Sequence, residues 1–227
     1  MPVSTASALT IRDRTAAGRY AGQRAAAGRH FSVRDAVGAT GWSRLPAAVR
    51  ARFAADLARA QYQGVFDTVR ASRAGRLLAM LCRLIGTPVV PYTGDEVPAT
   101  VRVFADGGGG VVWERVYHFA DQRVCRVMST KCADEQGRII EALPCGLRMA
   151  LEVFERDGAL HFMSTGYFFN CLGLRIAVPA LLPPGVTHVE HTDEGGGWFR
   201  FTMTVSHRWL GEVYFQTGRF RAASEAL

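Results

Sequence analysis

From Val97 onward, apolar and polar residues alternate with a period of two, the spacing of a strand with two unlike faces. Ten segments carry the pattern: Thr100–Ala105, Val111–Phe119, Val124–Lys131, Arg138–Leu143, Leu147–Arg156, Leu160–Phe168, Leu174–Val178, His188–His191, Trp198–Val205 and Glu212–Phe220. Turn-forming residues separate them, among them Asp106 with Gly107 to Gly110, Asp134 to Gly137, Asp157-Gly158, Pro183-Pro184-Gly185 and Glu194 to Gly197. No helix-length stretch intervenes, so neighbours in sequence pair antiparallel. Left open, such a sheet would expose two edges; closure removes both.

Ahead of Val97 the period lengthens. Leu45, Val49, Phe53 and Leu57 fall four apart behind Ser43 and Pro46, which predicts a helix with Ser43 as its N-cap. A second helix is expected from Ser72 to Ile85, with Gly86 and Pro88 stopping it. Residues 1–41 are rich in Ala, Gly and Arg and poor in large apolar side chains. They read as a flexible arm, with a lid or partner-binding segment as the functional alternative. The expected fold is mainly β (α+β): an antiparallel, lipocalin-like β-barrel of about eight to ten strands with two or three N-terminal helices. The barrel spans 91–221, a helical segment at 42–90 packs on it, and 222–227 form a tail. An interior of that size admits one small ligand.

Charge changes the picture less than its total suggests. The net +7 invites nucleic acid, but residues 1–76 hold thirteen arginines against four aspartates, whereas residues 77–227 hold fourteen basic and sixteen acidic groups. The barrel is slightly acidic, and no nucleic-acid partner is expected. Lys131 is the only lysine, and the arginine excess reads as coding bias of a GC-rich genome. Cys82, Cys125, Cys132, Cys145 and Cys171 form no C-x-x-C pair. With no apolar leader at the start, they imply reduced thiols in the cytoplasm. No run of about 18 apolar residues occurs, so no membrane partner is expected. Homodimerisation stays open.

The candidate chemistry lies on strand faces. Trp113, Arg115, Tyr117 and Phe119 share one face of a strand, and an arginine among aromatics needs a partner or a ligand. Glu141 is the nearest acid by strand order. The two form either a structural salt bridge or a carbonyl anchor beside a general acid or base. Burial against Trp113 would raise the Glu141 carboxyl toward neutrality unless Arg115 offset it. Ser129, His161, Tyr167, Tyr214 and Gln216 add polar lining, and Phe162, Phe168 and Phe201 add aromatic walls. His188 and Glu190 share a face while His191 points away, and no third inward ligand accompanies them, so no metal is expected. Gly107–Gly110 reads as a hairpin loop. With no P-loop, G-x-S-x-G or H-E-x-x-H motif, no cofactor is expected.

The order of motifs also resembles a known family. Leu45–Arg52, Tyr62-Gln63-Gly64, Leu84-Ile85-Gly86-Thr87-Pro88 and Val97-Pro98 carry the likeness, followed by Trp113-Glu114-Arg115-Val116-Tyr117. Glu141, Asp157-Gly158-Ala159-Leu160, Gly173-Leu174, Gly211-Glu212-Val213-Tyr214 and Gly218 complete it. This is similar to the bacterial family called domain of unknown function 4166, over about residues 44–221. The resemblance implies a bacterial cytoplasmic domain, found alone or joined to other modules such as dehydrogenase-like ones. It brings no reaction. The family's W-x-R maps onto Trp113 and Arg115, and its following acid onto Glu141. After Glu141 the family usually reads acid, bulky residue, glycine; here Ala142-Leu143-Pro144 precede Cys145-Gly146, which implies a remodelled bend.

Together these features predict a barrel that encloses an apolar or amphipathic intermediate. The leading expectation is a cofactor-independent cyclase, isomerase or dehydratase of bacterial secondary metabolism. In it the aromatics fold the substrate, and Arg115 with Tyr117 or Glu141 polarises a carbonyl. The alternatives are a non-catalytic carrier or sensor, and a scaffold whose basic helices dock a partner.

Overall fold

The computed structural model describes residues 31–54, 59–83, 89–143, 146–171, 174–179 and 185–223. The segments 1–30, Pro183-Pro184, Gly86 to Pro88 and 224–227 lie outside these, so expectations placed there go no further.

Among the described residues, two helices precede the first strand. Helix α1 spans Val33–Arg44. Ser32 caps it by accepting the Asp35 backbone N–H at 3.2 Å, and Gly38 kinks it with φ 77°. Residues 33–41, expected within a flexible arm, are therefore helical, and Phe31, Val33 and Leu45 are buried. Helix α2 is a short turn, Ala47–Arg52, with Pro46 at the N-cap position. Ser43 does not cap it; its hydroxyl donates back to the Thr40 carbonyl inside α1.

Residues 59–71, expected to be part of the helical segment, form strand β1 (Arg59–Ala71). Tyr62, Phe66 and Val69 are its buried positions, and their spacing of four and three imitates a helix. The cause is a bulge at Asp67, which shifts the register by one residue and moves the inward side from even to odd positions. Helix α3 (Arg73–Arg83) then lies against the start of the last strand. Its Gly75 approaches so closely that a Cβ would meet the Val213 carbonyl oxygen at 1.9 Å.

The remaining strands are β2 (Gly94–Ala105), β3 (Val111–His118), β4 (Val124–Ala133), β5 (Ile139–Ala142), β6 (Leu147–Arg156), β7 (Ala159–Cys171), β8 (Leu174–Ala177), β9 (Val186–Gly195), β10 (Trp198–His207) and β11 (Gly211–Ala222). All pair antiparallel, and ten close into one ring: β1 to β7 in sequence order, then β9, β10 and β11 back to β1. Strand β8 stands outside the ring, paired with β7. The closing seam joins β1 to β11, from Tyr62 opposite Ala222 to Ala71 opposite Tyr214. This is the expected closed antiparallel barrel.

The tight hairpins form where their residues allow it. Asp106 Oδ1 accepts the Gly108 and Gly110 backbone N–H groups at 2.7 and 2.9 Å, so the glycine run is the β2–β3 turn. Asp157 and Gly158 both take positive φ at the β6–β7 turn. One contiguous apolar core fills the lumen and runs under α1 and α2, which cover the end of the barrel carrying these two turns.

Candidate functional site

The lumen face of β3 carries Trp113, Arg115 and Tyr117, as expected from the alternation. The register then sets their neighbours. Trp113 lies opposite Ser129 of β4, Arg115 opposite Val127, and Lys131 of β4 opposite Glu141 of β5. Strands β7, β9 and β10 bring Phe162, His191 and Phe201 to the same interior. Between them lies a cavity of about 20 Å³, lined also by Phe53, Met149 and Thr187. That space holds a water molecule and no more. The roomy apolar cavity expected from the strand number is thus nearly filled with side chains.

Phe53 is the reason at one end. It follows α2 and reaches into the barrel, 5.7 Å from the Trp113 ring, 5.7 Å from Phe162 and 5.0 Å from His191. Beside it Arg52 lies 4.3 Å over the Phe199 ring and 3.7 Å from Asp193. At the other end the lumen closes on a satisfied polar knot. Tyr117 and Tyr214 both donate to Gln216 Oε1, at 3.2 and 2.7 Å, and Gln216 Nε2 lies 3.8 Å from the Met203 sulfur. Burial pushes both phenols up despite the opposing Arg115 charge, so both keep their protons.

The expected Arg115–Glu141 pair does not form. Glu141 pairs with Lys131, Nζ to Oε2 3.2 Å, because these residues face each other directly on adjacent strands. Arg115 stands two strands away, its guanidinium 5.8 Å over the Phe201 ring and its Nη1 buried with no hydrogen-bond partner among the described residues. Burial pushes the Glu141 carboxyl up, but Lys131 and then Arg115 pull it down further, and the net shift is downward. Glu141 is therefore a carboxylate, fit to be a counter-ion or base rather than a general acid. His191 is held neutral, well below its ordinary range, by burial and then by Arg52, Lys131 and Arg115.

Two expected lining residues lie elsewhere. The β7 register shifts at Thr165, so Phe162 and Tyr167 face inward while Phe168 faces outward. There Phe168 packs on Cys132 and Ile140, with the Arg175 guanidinium 3.7 Å above it. His161 is also on the outer face, 3.0 Å from His188 and stacked on Phe154. Tyr167 stays near the cavity, donating to the Gly185 carbonyl at 2.9 Å and 3.0 Å from the Thr187 hydroxyl.

What remains around the cavity is a set of polar atoms with spare capacity. Trp113 Nε1, Arg115 Nη1 and His191 Nδ1 are all buried without a partner among the described residues. Arg115 and Lys131 together outweigh Glu141 by one positive charge. Sequence reasoning missed Lys131 and His191. Lys131 was legible as the inward position two residues after Ser129, and His191 as the residue opposed in parity to an outward His188.

The model of the family described as a domain of unknown function, DUF4166, matches residues 45–220. The chain belongs to that family. The match begins just after α1 and covers the barrel ring of this DUF4166 member except the last two residues of β11. No curated protein matches the chain. Among solved structures, the crystal structure of zebrafish ileal bile acid-binding protein complexed with cholic acid is similar at 12% identity and a TM-score of 0.29. That match covers 71% of this chain and 96% of the other. With so low a score, the DUF4166 barrel rests on its own strand pairings.

Proposed function

We propose that the barrel takes up one amphipathic small molecule, whose anionic or carbonyl oxygen is received by Arg115. The observation that carries this reading is the group of three buried, unpartnered polar atoms around one cavity. A buried donor left unpaired costs about 1–3 kcal/mol, and a ligand oxygen would recover it. The excess positive charge selects an acceptor, and Trp113, Phe162 and Phe201 supply apolar walls for the rest. Phe53 fills the space such a body needs, so entry requires it to swing out with the end of α2.

Within this reading we favour cofactor-independent cyclisation, isomerisation or dehydration of a biosynthetic intermediate in a bacterial cytoplasm. Glu141 would serve as base and Arg115 as the group that stabilises developing oxyanion charge. Tyr117, whose proton is engaged by Gln216, holds the floor of the site. A carrier or sensor would use the same anchor without turnover.

Calorimetric titration with decanoate tests the anchor. The native chain should bind it, and Arg115→Met should bind at least about tenfold more weakly, the loss of one charge-assisted hydrogen bond. Equal affinity of the two proteins overturns the reading.

A further inference from the structure

The lumen holds one nucleophile that anchoring an oxygen leaves idle. Lys131 is the only lysine of the chain, and its side chain lies on the lumen face of β4, buried. It lines the same cavity as Arg115, Trp113 and His191. Its Nζ is 3.2 Å from Glu141 Oε2, 5.3 Å from the Trp113 ring centroid and 5.6 Å from that of Phe162. Twenty-six other basic residues are all arginine. A guanidinium would hold Glu141 by two bonds instead of one. What the ammonium offers and a guanidinium does not is a neutral amine after the loss of one proton. Burial and the Arg115 charge favour that loss, Glu141 opposes it, and the net shift of Lys131 is downward.

We propose that Lys131 is a carbonyl-trapping amine, condensing with an apolar aldehyde or ketone seated between Trp113 and Phe162. The proposal rests on the ligand-binding reading above and gives it a substrate class. The Nζ lone pair attacks the carbonyl carbon, and the carbonyl π pair moves to oxygen, on the cavity that Arg115 and Trp113 border. One proton passes from nitrogen to that oxygen, giving a carbinolamine. Glu141, 3.2 Å from Nζ, takes the proton that the Lys131 ammonium first loses and returns it to the hydroxyl, which leaves as water while the nitrogen lone pair forms the C=N bond. Ammonium and carbonyl are thus converted to a protonated imine and one water, with no change of oxidation state. The imine keeps its positive charge where the ammonium had it, beside the Glu141 carboxylate, so the charge pairing of the lumen is preserved.

Reductive trapping tests this. The full chain is incubated with hexanal and sodium cyanoborohydride at neutral pH, then weighed intact and mapped by peptides. One reduced hexyl group per chain is expected on Lys131, formed at least about tenfold faster than on Nα-acetyl-lysine because the site concentrates the aldehyde. Excess decanoate should suppress it, and Lys131→Arg should carry no internal adduct. If that variant does not fold, the peptide map of the native chain decides alone. An unmodified Lys131, or modification no faster than the free amino acid, overturns the proposal. If decanoate still binds through Arg115 in that case, the anchor reading survives. A trapped Lys131 that decanoate neither reaches nor protects would instead remove the anchor.

Discussion

Glu141 and His191 show how a closed lumen fixes ionisation states, and the two act on stability in the same direction. His191 is neutral in the fold, whereas in the unfolded chain it titrates near 6.5. Below that pH the unfolded state takes up a proton that the folded state refuses, so stability falls as pH falls. The slope is at most about 1.4 kcal/mol per pH unit for one group. Half-buried His188 is lowered too and adds a smaller part. Glu141 has a folded value below its ordinary 4.5, so its contribution is present above that value and is lost only at lower pH. Denaturant midpoints measured from pH 7 to 5 should therefore drop for the native chain and drop less for His191→Gln; parallel curves would contradict the assignment. At this scale the site was legible where strands run without interruption. Trp113, Arg115 and Ser129 keep strict parity on β3 and β4. Phe168 does not keep parity with Phe162, because Thr165 is an extra residue that no polar–apolar pattern announces. Lys131 was discounted with the arginine bias, although its rarity was itself the clue.

Strand β1 is the element that sequence periodicity misplaced, and its bulge also explains its packing. Phe66 is stacked on Tyr117 at 5.0 Å and lies edge-on to Phe220 at 5.0 Å, so the strand delivers an aromatic to the centre of the barrel. Two glycines make room for that. A Cβ on Gly64 would lie 2.0 Å from the Arg219 carbonyl oxygen and 2.6 Å from the Phe220 ring, and one on Gly218 would lie 2.4 Å from the Val65 carbonyl oxygen. The obstacles are backbone atoms of the facing strand, which cannot rotate away. Gly64→Ala should cost at least about 1–3 kcal/mol by overpacking at the seam, read as a lower denaturant midpoint with an unchanged ligand anchor. A neutral effect would mean that the seam is looser than the β1–β11 pairing indicates. The ten other strands were readable from their period of two and from turn signals between many of them, such as Asp106 to Gly110, Asp134 to Gly137, Asp157-Gly158 and Glu194 to Gly197. Between α2 and β1 no such signal stands in the sequence.

The molecule as a whole is a ring whose first and last strands are brought together across nearly the full barrel sequence, with α1 and α2 laid over one end. Such long-range closure makes folding slow relative to helical proteins of similar size. The N-terminal cover belongs to the core: Phe31, Val33 and Leu45 are buried, and Arg44 Nε pairs with Glu155 at 2.5 Å on β6. Deleting residues 1–45 should therefore lower the melting temperature, each lost apolar side chain being worth about 1.5–3 kcal/mol. An unchanged melting temperature would restore the view of this segment as a dispensable arm. The burial of Lys131 has one more consequence, seen from outside. Every cationic side chain that the folded protein turns toward solvent is a guanidinium or an imidazole, so its surface offers no side-chain amine to acylating dyes, cross-linkers or lysine-modifying enzymes. Reagents too bulky to pass Phe53 reach that residue only when the barrel opens, and the rate of their acylation of Lys131 is then a clock for opening.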